Sequence, residues 1–547
     1  MIGSRASKAV GDTDPGQDGG AAGAGVAWYR RPGVWTAGLI AAATLLALAL
    51  RFYQLTRPGF LLSVTEYDDG PYFGSAVRLV HGQLPYRDFL FVQPPGITLL
   101  MVPSALLSKI TGTAWGMASG RILTALAGAA ATALAGLLVR HRGVLAVVIA
   151  CGVTAVFPDG VRAAHTVLVE PWLVLFCLLG ALAVCDRDQL TTSGRRLAWG
   201  GAAFGFAGAV EPWAIVPAIV IAALCLPAPR RLLRYAAGVA AGFLIPVVPF
   251  AVLAPHGFFQ GLVTAQVGGR TGAIRIGPLY RAQQMTGLSQ ISLTHPHLLY
   301  GAAIAEAVVI VAGLAAAALR GSRNLPSALD VFVTGSTILI VAIFLWPSQF
   351  HYHFSAFLAP FLGLALGLAA AALLTPGPAV SRRVRTTATA LAGLVACLAV
   401  VGALGTAVEL ARWLRDTPPP HVPMTNIEAM QRVIPGGACV VTDLVSYTIM
   451  ADRFVSDVPG CPLMLDPTGV DLGLAHGLTP RTGAAKVPAL VAVWRYSFAH
   501  GQYVYLSSRA DKRIPWTPGL RAYFRAHFTP ALSFGPQGGQ LYKRTPS

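Results

Sequence analysis

Charge is scarce in this chain. Only 12% of its 547 residues are Asp, Glu, Lys or Arg, and just 23 are acidic, whereas soluble domains carry about 25% charged residues. With 54% apolar types and a mean hydropathy of +0.60, the deficit excludes a large water-soluble core and points to a bilayer. Cysteine is sparse as well. There are seven, with neither a CxxC pair nor a Cys/His zinc spacing, so zinc modules are not indicated. Five of them (Cys151, Cys177, Cys185, Cys225, Cys397) lie in apolar runs and read as small core residues. Full-length internal repeats are not evident, which disfavours transporters built from repeats. The net charge of +18 would suit nucleic acid, but the basic residues sit in short clusters between apolar runs. They form no continuous basic face, so nucleic acid is not expected as a partner.

What is present is a succession of long apolar runs. Residues 1–30 are rich in Gly, Ala and Asp without a hydrophobic pattern and read as a disordered cytoplasmic tail. The first run, Val34 to Phe52, follows Arg30 and Arg31 and is about a bilayer thick. No A-x-A-like site follows it, so it reads as a span and not a cleaved signal. Ten more runs lie near 119–139, 143–157, 166–185, 197–211, 213–228, 232–254, 298–319, 328–346, 354–374 and 386–408. A further segment, Gly96 to Ile110, is short and carries Pro103, Ser104, Ser108 and Lys109.

The positive-inside rule decides how that segment lies. If it does not span and the N-terminus is cytoplasmic, the cytoplasmic loops hold thirteen basic residues, from Arg140 and Arg142 to Arg382, Arg383 and Arg385. The three short opposite loops then hold one, Arg162. If the segment spans, all thirteen move outside. The chain therefore reads as an α-helical polytopic membrane protein with about eleven transmembrane helices over 31–415, and 96–110 as a helix lying against the outer membrane face. Outer loops fall at 53–118 and 255–297. After a Pro-rich linker, Thr417 to Pro423, residues 416–547 have normal polarity. There Gly437–Asp443 reads as a strand, Leu444–Ala451 as a helix and Tyr503–Leu506 as a strand, which predicts a small extracytoplasmic α/β domain. Its two cysteines, Cys439 and Cys461, are expected to form a disulfide in that oxidising compartment.

Four outer segments carry the polar signals. The first is Thr65-Glu66-Tyr67-Asp68-Asp69-Gly70-Pro71-Tyr72, directly after the first span. Pro71 suits the first turn of a helix and Asp69 its N-cap. Tyr72, Ala76 and Val80 then share one face, and Gly82 ends the helix. The expectation is an amphipathic helix on the outer membrane surface. Asp69 either only caps it or joins Asp68 and Glu66 in a carboxylate cluster, suited to general-base work or to a divalent cation. The second segment is Pro158-Asp159-Gly160-Val161-Arg162-Ala163-Ala164-His165, followed by Val169-Glu170-Pro171-Trp172. Glu170 either caps a helix with Pro171 in its first turn or is a functional acid near the hydrocarbon boundary, where an acid is costly. The same Val-Glu-Pro-Trp at Val210–Trp213 reads as a helix-end feature. The third comprises Arg270, Arg275 and Arg281 in the second outer loop, and the fourth is Gln349-Phe350-His351-Tyr352-His353 at a later outer helix start. Guanidinium groups suit a lipid phosphate or anionic head groups. The two histidines suit a phosphate or a metal, jointly only if a turn brings them together.

Asp68-Asp69-Gly70-Pro71-Tyr72, then Ala76, Gly82 and Pro85, then Gln93-Pro94-Pro95-Gly96, resembles the first outer loop of GT-C glycosyltransferases. Protein O-mannosyltransferases and lipid A aminoarabinose transferases are the most similar in pattern. The resemblance covers 66–96 best, 158–172 less, 346–361 weakly and the C-terminal domain not at all. It implies that Asp68 matches the catalytic aspartate, Asp69 its acidic neighbour and Tyr72 the aromatic. Arg162 and Glu170 would match an Arg and an Asp-Pro. It departs from the family in having Asp69 for Glu, and Gln93 where relatives carry a charged residue or His. The implied activity is inverting transfer of a sugar from a polyprenyl-phosphate donor to a glycan, glycolipid or protein outside the cytoplasm. In that reading Asp68, Asp69 and Glu170 are catalytic. Tyr72, Asp159, Arg162, His165, Arg270, Arg275, Arg281, His351 and His353 bind substrate, and the metal requirement stays open. The alternative from another class is a transporter or flippase of lipid-linked sugars.

Overall fold

The protein is a computed structural model describing residues 32–268, 276–288, 296–318, 325–346, 350–374, 402, 404–415, 424–476 and 478–546. A bilayer offers backbone amides no partner, so apolar runs must satisfy their hydrogen bonds internally, as helices. Ten of the runs do so. They are α1 (Pro32–Thr56), α4 (Thr113–Val139), α5 (Val144–Val156), α7 (Glu170–Val184), α8 (Gly194–Val210), α9 (Ile215–Cys225), α10 (Pro229–Leu253), α12 (Pro296–Ala318), α13 (Ala328–Leu345) and α14 (Phe354–Leu374). Of the run 386–408, residues 386–401 and 403 lie outside the described residues, as does the linker at 417–423. Among the described residues, five helices are long and apolar enough to cross a membrane.

Close packing of the bundle uses small residues. Gly201 and Gly205 of α8 face the carbonyls of Tyr235 and Val239, and Gly238 and Gly242 of α10 face those of Ala198 and Ala202. A Cβ on any of them would overlap the opposing oxygen, so only glycine permits this approach. At one end of the bundle a polar knot joins three helix connections. Arg142 pairs with Asp188 at 2.6 Å and with Asp330 at 2.9 Å, and Ser327 and Asp330 form a reciprocal capping box that starts α13.

Four shorter helices build the opposite end: α2 (Asp69–Val80), α3 (Gly96–Thr111), α6 (Pro158–Ala163) and α11 (Pro278–Met285). Past the bundle, β1 (Val440–Thr442), β2 (Tyr503–Leu506), β3 (Phe528–Ser533) and β4 (Gln540–Arg544) form a mixed sheet in the order β1-β2-β4-β3. Only the β1–β2 pair is parallel. Around the sheet lie α15 (Met424–Val433), α16 (Val445–Met450), α17 (Pro467–Leu474), α18 (Pro488–His500) and α19 (Pro518–His527). Trp494, Phe498, Val504, Ile514, Phe524 and Phe528 fill one core there. Cys439 and Cys461 are joined by a disulfide.

Helix α2 is where the structure corrects the sequence. The expected surface helix is buried from Asp69 to Arg78 on every side. Gly70 lies against Ser446 and Val445, and Gly74 against Leu465 and Phe454. The two glycines remove side-chain bulk from the face that a hydropathy pattern assigns to water, and α16 and the chain beyond it occupy that space. Even Arg78 is covered, its guanidinium 4.4 Å from the Phe454 ring centre.

The bridge closes a 22-residue separation. Cys461→Ser should therefore lower the stability of the sheet region by roughly 3 kcal/mol in the chain-entropy model, read as an earlier thermal transition. Alkylation of both thiols without reductant would contradict the bridge.

Candidate active site

The site is built on one buried cation. Arg121, in α4, has no exposed side-chain surface, and neither has its partner Asp69 at 2.8 Å. Its remaining donors reach the Phe60 and Leu61 carbonyls at 2.7 and 2.8 Å, and Thr166 Oγ1 at 3.1 Å. Asp69 in turn accepts from Thr166 at 2.6 Å and from Ser446 at 2.8 Å. Four segments thus meet at this ion pair: the α1–α2 loop, α4, the α6–α7 loop and α16. This corrects two expectations for Asp69. It makes no side-chain cap, and Asp68 occupies the N-cap position. Nor does Asp69 reach solvent, so its oxygens serve the scaffold and not a substrate.

Asp68, one residue earlier, points the other way. Its side chain is 30% exposed and its Oδ2 lies 3.5 Å from His353 Nε2. The His353 Nδ1 bonds Glu170 Oε1 at 2.6 Å, with the two side chains 5% and 2% exposed. Burial pushes the Asp68 carboxyl up, but the hydrogen bond and charge of His353, with His351 and Arg513, hold it below the usual carboxylate range. For His353 burial works downward, yet Glu170 and Asp68 raise it well above an ordinary imidazole. The arrangement is therefore a line of Asp68, His353 and Glu170, and only Asp68 reaches solvent. Glu170 begins α7 without capping it, since no side-chain cap bond forms there.

Around this line sit further polar residues. Tyr352 donates to Glu66 at 3.0 Å, and Arg162 stacks on the Tyr352 ring at 3.5 Å from its centre. Burial, then Asp68, raises the Glu66 carboxyl. Burial also pushes Asp159 on α6 up to about 7, opposed by Arg162. Tyr72, one turn into α2, is buried and accepts from Gln93 Nε2 at 3.3 Å. The region past the bundle adds residues that no sequence motif flagged. Tyr67 donates to Asp466 at 2.7 Å, and Arg513 lies over the Tyr67 ring at 4.3 Å while pairing with Asp443 at 3.1 Å. Burial pushes Asp466 up to about 6.

The structure thus brings together Asp68, Glu170, Tyr72, Asp159, Arg162, His351 and His353. His165 is placed elsewhere in role. It is buried edge-on against Phe60, bonded to the Arg162 carbonyl, and burial lowers it to about 3, so it is a neutral packing residue. Arg281 is buried on the Ile276 and Phe344 carbonyls. Arg270 and Arg275 lie outside the described residues. His351 and His353 stack at 5.4 Å, and the two ring nitrogens of His353 face the carboxylates of Glu170 and Asp68. Among the described residues no group of three or more His, Cys, Asp or Glu is set to hold a metal ion. Arg121 was missed, although an arginine within the apolar run 119–139 is costly enough to have marked it.

Removing the Asp69 charge leaves the fully buried Arg121 without its counter-ion. Asp69→Asn should cost about 3–5 kcal/mol, several times a lost cap, and should show as poor folding in a detergent thermal scan. Arg121→Met in the same chain should restore part of it.

No family model matches the chain, and no curated protein matches it by sequence. Solved structures do match. ArnT from Cupriavidus metallidurans bound to undecaprenyl phosphate is 15% identical, with a TM-score of 0.56 over 94% of this chain and 99% of that one. The Archaeoglobus fulgidus oligosaccharyltransferase tethered to an acceptor peptide is 13% identical, with a TM-score of 0.52 over 95% of this chain and 75% of that one. The chain shares the fold of these two solved proteins, in line with the resemblance of its first outer loop.

Proposed function

We propose that the protein is an inverting membrane glycosyltransferase that moves a sugar from a polyprenyl-phosphate donor to a glycan, glycolipid or protein acceptor outside the cytoplasm. The observation that carries this reading is the pair of fates at Asp68 and Asp69. One carboxylate is locked into the scaffold by Arg121, and its neighbour is thereby aimed outward, ionised and solvent-accessible. The fold is that of proteins solved with undecaprenyl phosphate and with an acceptor peptide, which supports donor and acceptor of these kinds.

In this reading Asp68 accepts the proton of the acceptor hydroxyl as that oxygen attacks the anomeric carbon. The bond from sugar to phosphate breaks on the opposite face, its electron pair leaving with the phosphate oxygen, so configuration inverts. Such a base contributes about 10²–10⁴-fold. Arg162 is in position to neutralise charge growing on the lipid phosphate, and its seat on Tyr352 leaves the guanidinium edge available for oxygens. Asp466 and Tyr67 reach the same region from beyond the bundle and suit contact with acceptor hydroxyls.

The membrane arrangement follows from the charge count. Eleven spans place the thirteen loop cations in the cytoplasm, keep α3 from crossing, and put α2, Asp68 and residues 416–547 outside, at the plasma membrane. The disulfide suits that side.

Asp68→Asn should abolish transfer from a radiolabelled polyprenyl-phosphate sugar while leaving membrane insertion and the thermal transition unchanged. Near-normal turnover in the purified variant would overturn the assignment of the base. Cysteines placed singly in 424–546 should react with impermeant reagents only from outside, and labelling from the cytoplasm would invert the topology.

A further inference from the structure

Glu170 and His353 stand apart from the rest of the site. Each is almost wholly buried, at 2% and 5% side-chain exposure, so neither is placed to meet a substrate first. Glu170 does not cap its helix, and its second oxygen, Oε2, has no hydrogen-bond partner. An acid buried this way is costly unless paired, and its one short bond goes to the His353 Nδ1 at 2.6 Å. The other ring nitrogen, Nε2, is likewise buried without a hydrogen-bond partner and faces Asp68 Oδ2 at 3.5 Å as an ion-pair contact.

We propose that Glu170 and His353 form a positioning pair for Asp68, in which Glu170 fixes the ring through Nδ1 and a positive Nε2–H holds the Asp68 carboxylate charged and aimed outward. This rests on Asp68 being the base. His353 remains protonated throughout: the proton taken from the acceptor hydroxyl resides on Asp68 and leaves with the product side, and no proton passes to Glu170. Glu170, matched by sequence to a catalytic acid, then acts only through His353.

Other charges bear on the pair. Asp68 faces Glu66 on its own loop, His351 beside His353, and Asp466 and Arg513 from beyond the bundle. His353 also faces Glu66 and Asp159. Burial opposes ionisation of Asp68, and His353, through its hydrogen bond and its charge, is the largest influence favouring it, ahead of His351 and Arg513. The sign of the effect follows. A carboxylate held low is ionised from well below neutrality, and losing the cation lets its titration climb.

The test is the pH dependence of kcat/KM in the full-length protein in nanodiscs, with a polyprenyl-phosphate sugar as donor. His353→Gln should move the ascending limb upward by roughly 1–3 pH units, the range for an opposite charge at this distance. Donor KM should change little, and activity should return as pH rises. Glu170→Gln should shift the limb the same way but less. In a double-mutant cycle the Glu170→Gln loss in kcat should vanish once His353 is already Gln. Superimposed profiles for wild type and both single variants, or losses that multiply in the double variant, would overturn the pair. If His353→Gln does not fold, the Glu170→Gln profile alone decides, since an unmoved limb there also overturns it. A catalytically active Asp68→Asn would instead sink the base assignment itself, a separate failure.

Discussion

A fully buried guanidinium must be matched almost donor for donor, and Arg121 is matched by elements from across the fold. Two backbone carbonyls of the α1–α2 loop, one hydroxyl of the α6–α7 loop and the Asp69 carboxylate surround it. Taking both ions out of water costs several kcal/mol each, recovered only when geometry and further hydrogen bonds are good. The arrangement therefore tolerates few alternatives. It sets the path of residues 60–69, and with it the direction of every side chain on that loop, Asp68 included.

Neighbouring carboxylates with opposite duties follow from this constraint. Asp69 is consumed by a fixed cation and two hydroxyls. Asp68 is left with a softer partner at 3.5 Å, so its outer oxygen stays available. The remaining acids of the site add less negative charge than their number suggests. Glu66 is raised by burial, Asp466 is pushed up to about 6, and Asp159 to about 7. A site with Arg162, Arg513 and a charged His353, whose acids are either paired or displaced toward neutrality, is electrostatically compatible with an incoming phosphate.

The sequence announces the helices because the bilayer imposes a length and a polarity that local composition must obey. Asp68, Asp69 and Tyr72 were legible because their motif is contiguous. For Asp69 neither reading, a cap or a member of an open carboxylate cluster, describes the buried ion pair with Arg121. An acid two residues before Pro71 satisfies the local rule for a cap, and only partners 52, 97 and 377 residues away override it. Ser446, Asp466 and Arg513 were invisible for the same reason. They come from a region with no recognisable motif and meet the loop only through folding. The His351/His353 pair illustrates a subtler limit. Spacing shows that two rings are near each other, but not that one of them is claimed by carboxylates from α7 and the α1–α2 loop.

These distant partners change how residues 424–546 should be understood. They are not an appendage fastened by a linker. Ser446 completes the coordination of Asp69, Asp466 holds Tyr67, and Thr113 at the start of α4 donates to the Ile449 carbonyl at 2.6 Å. Gly70 and Gly74 make the contact possible, because any side chain there would strike Ser446 or Leu465. The loop bearing Asp68 is thus the seam between bundle and sheet. Its shape belongs to neither part alone, so both must be folded before the carboxylate can face outward. A seam of this kind also places the region that would meet an acceptor within reach of the region that would meet a lipid phosphate. That is the spatial relation a transfer between two dissimilar substrates requires.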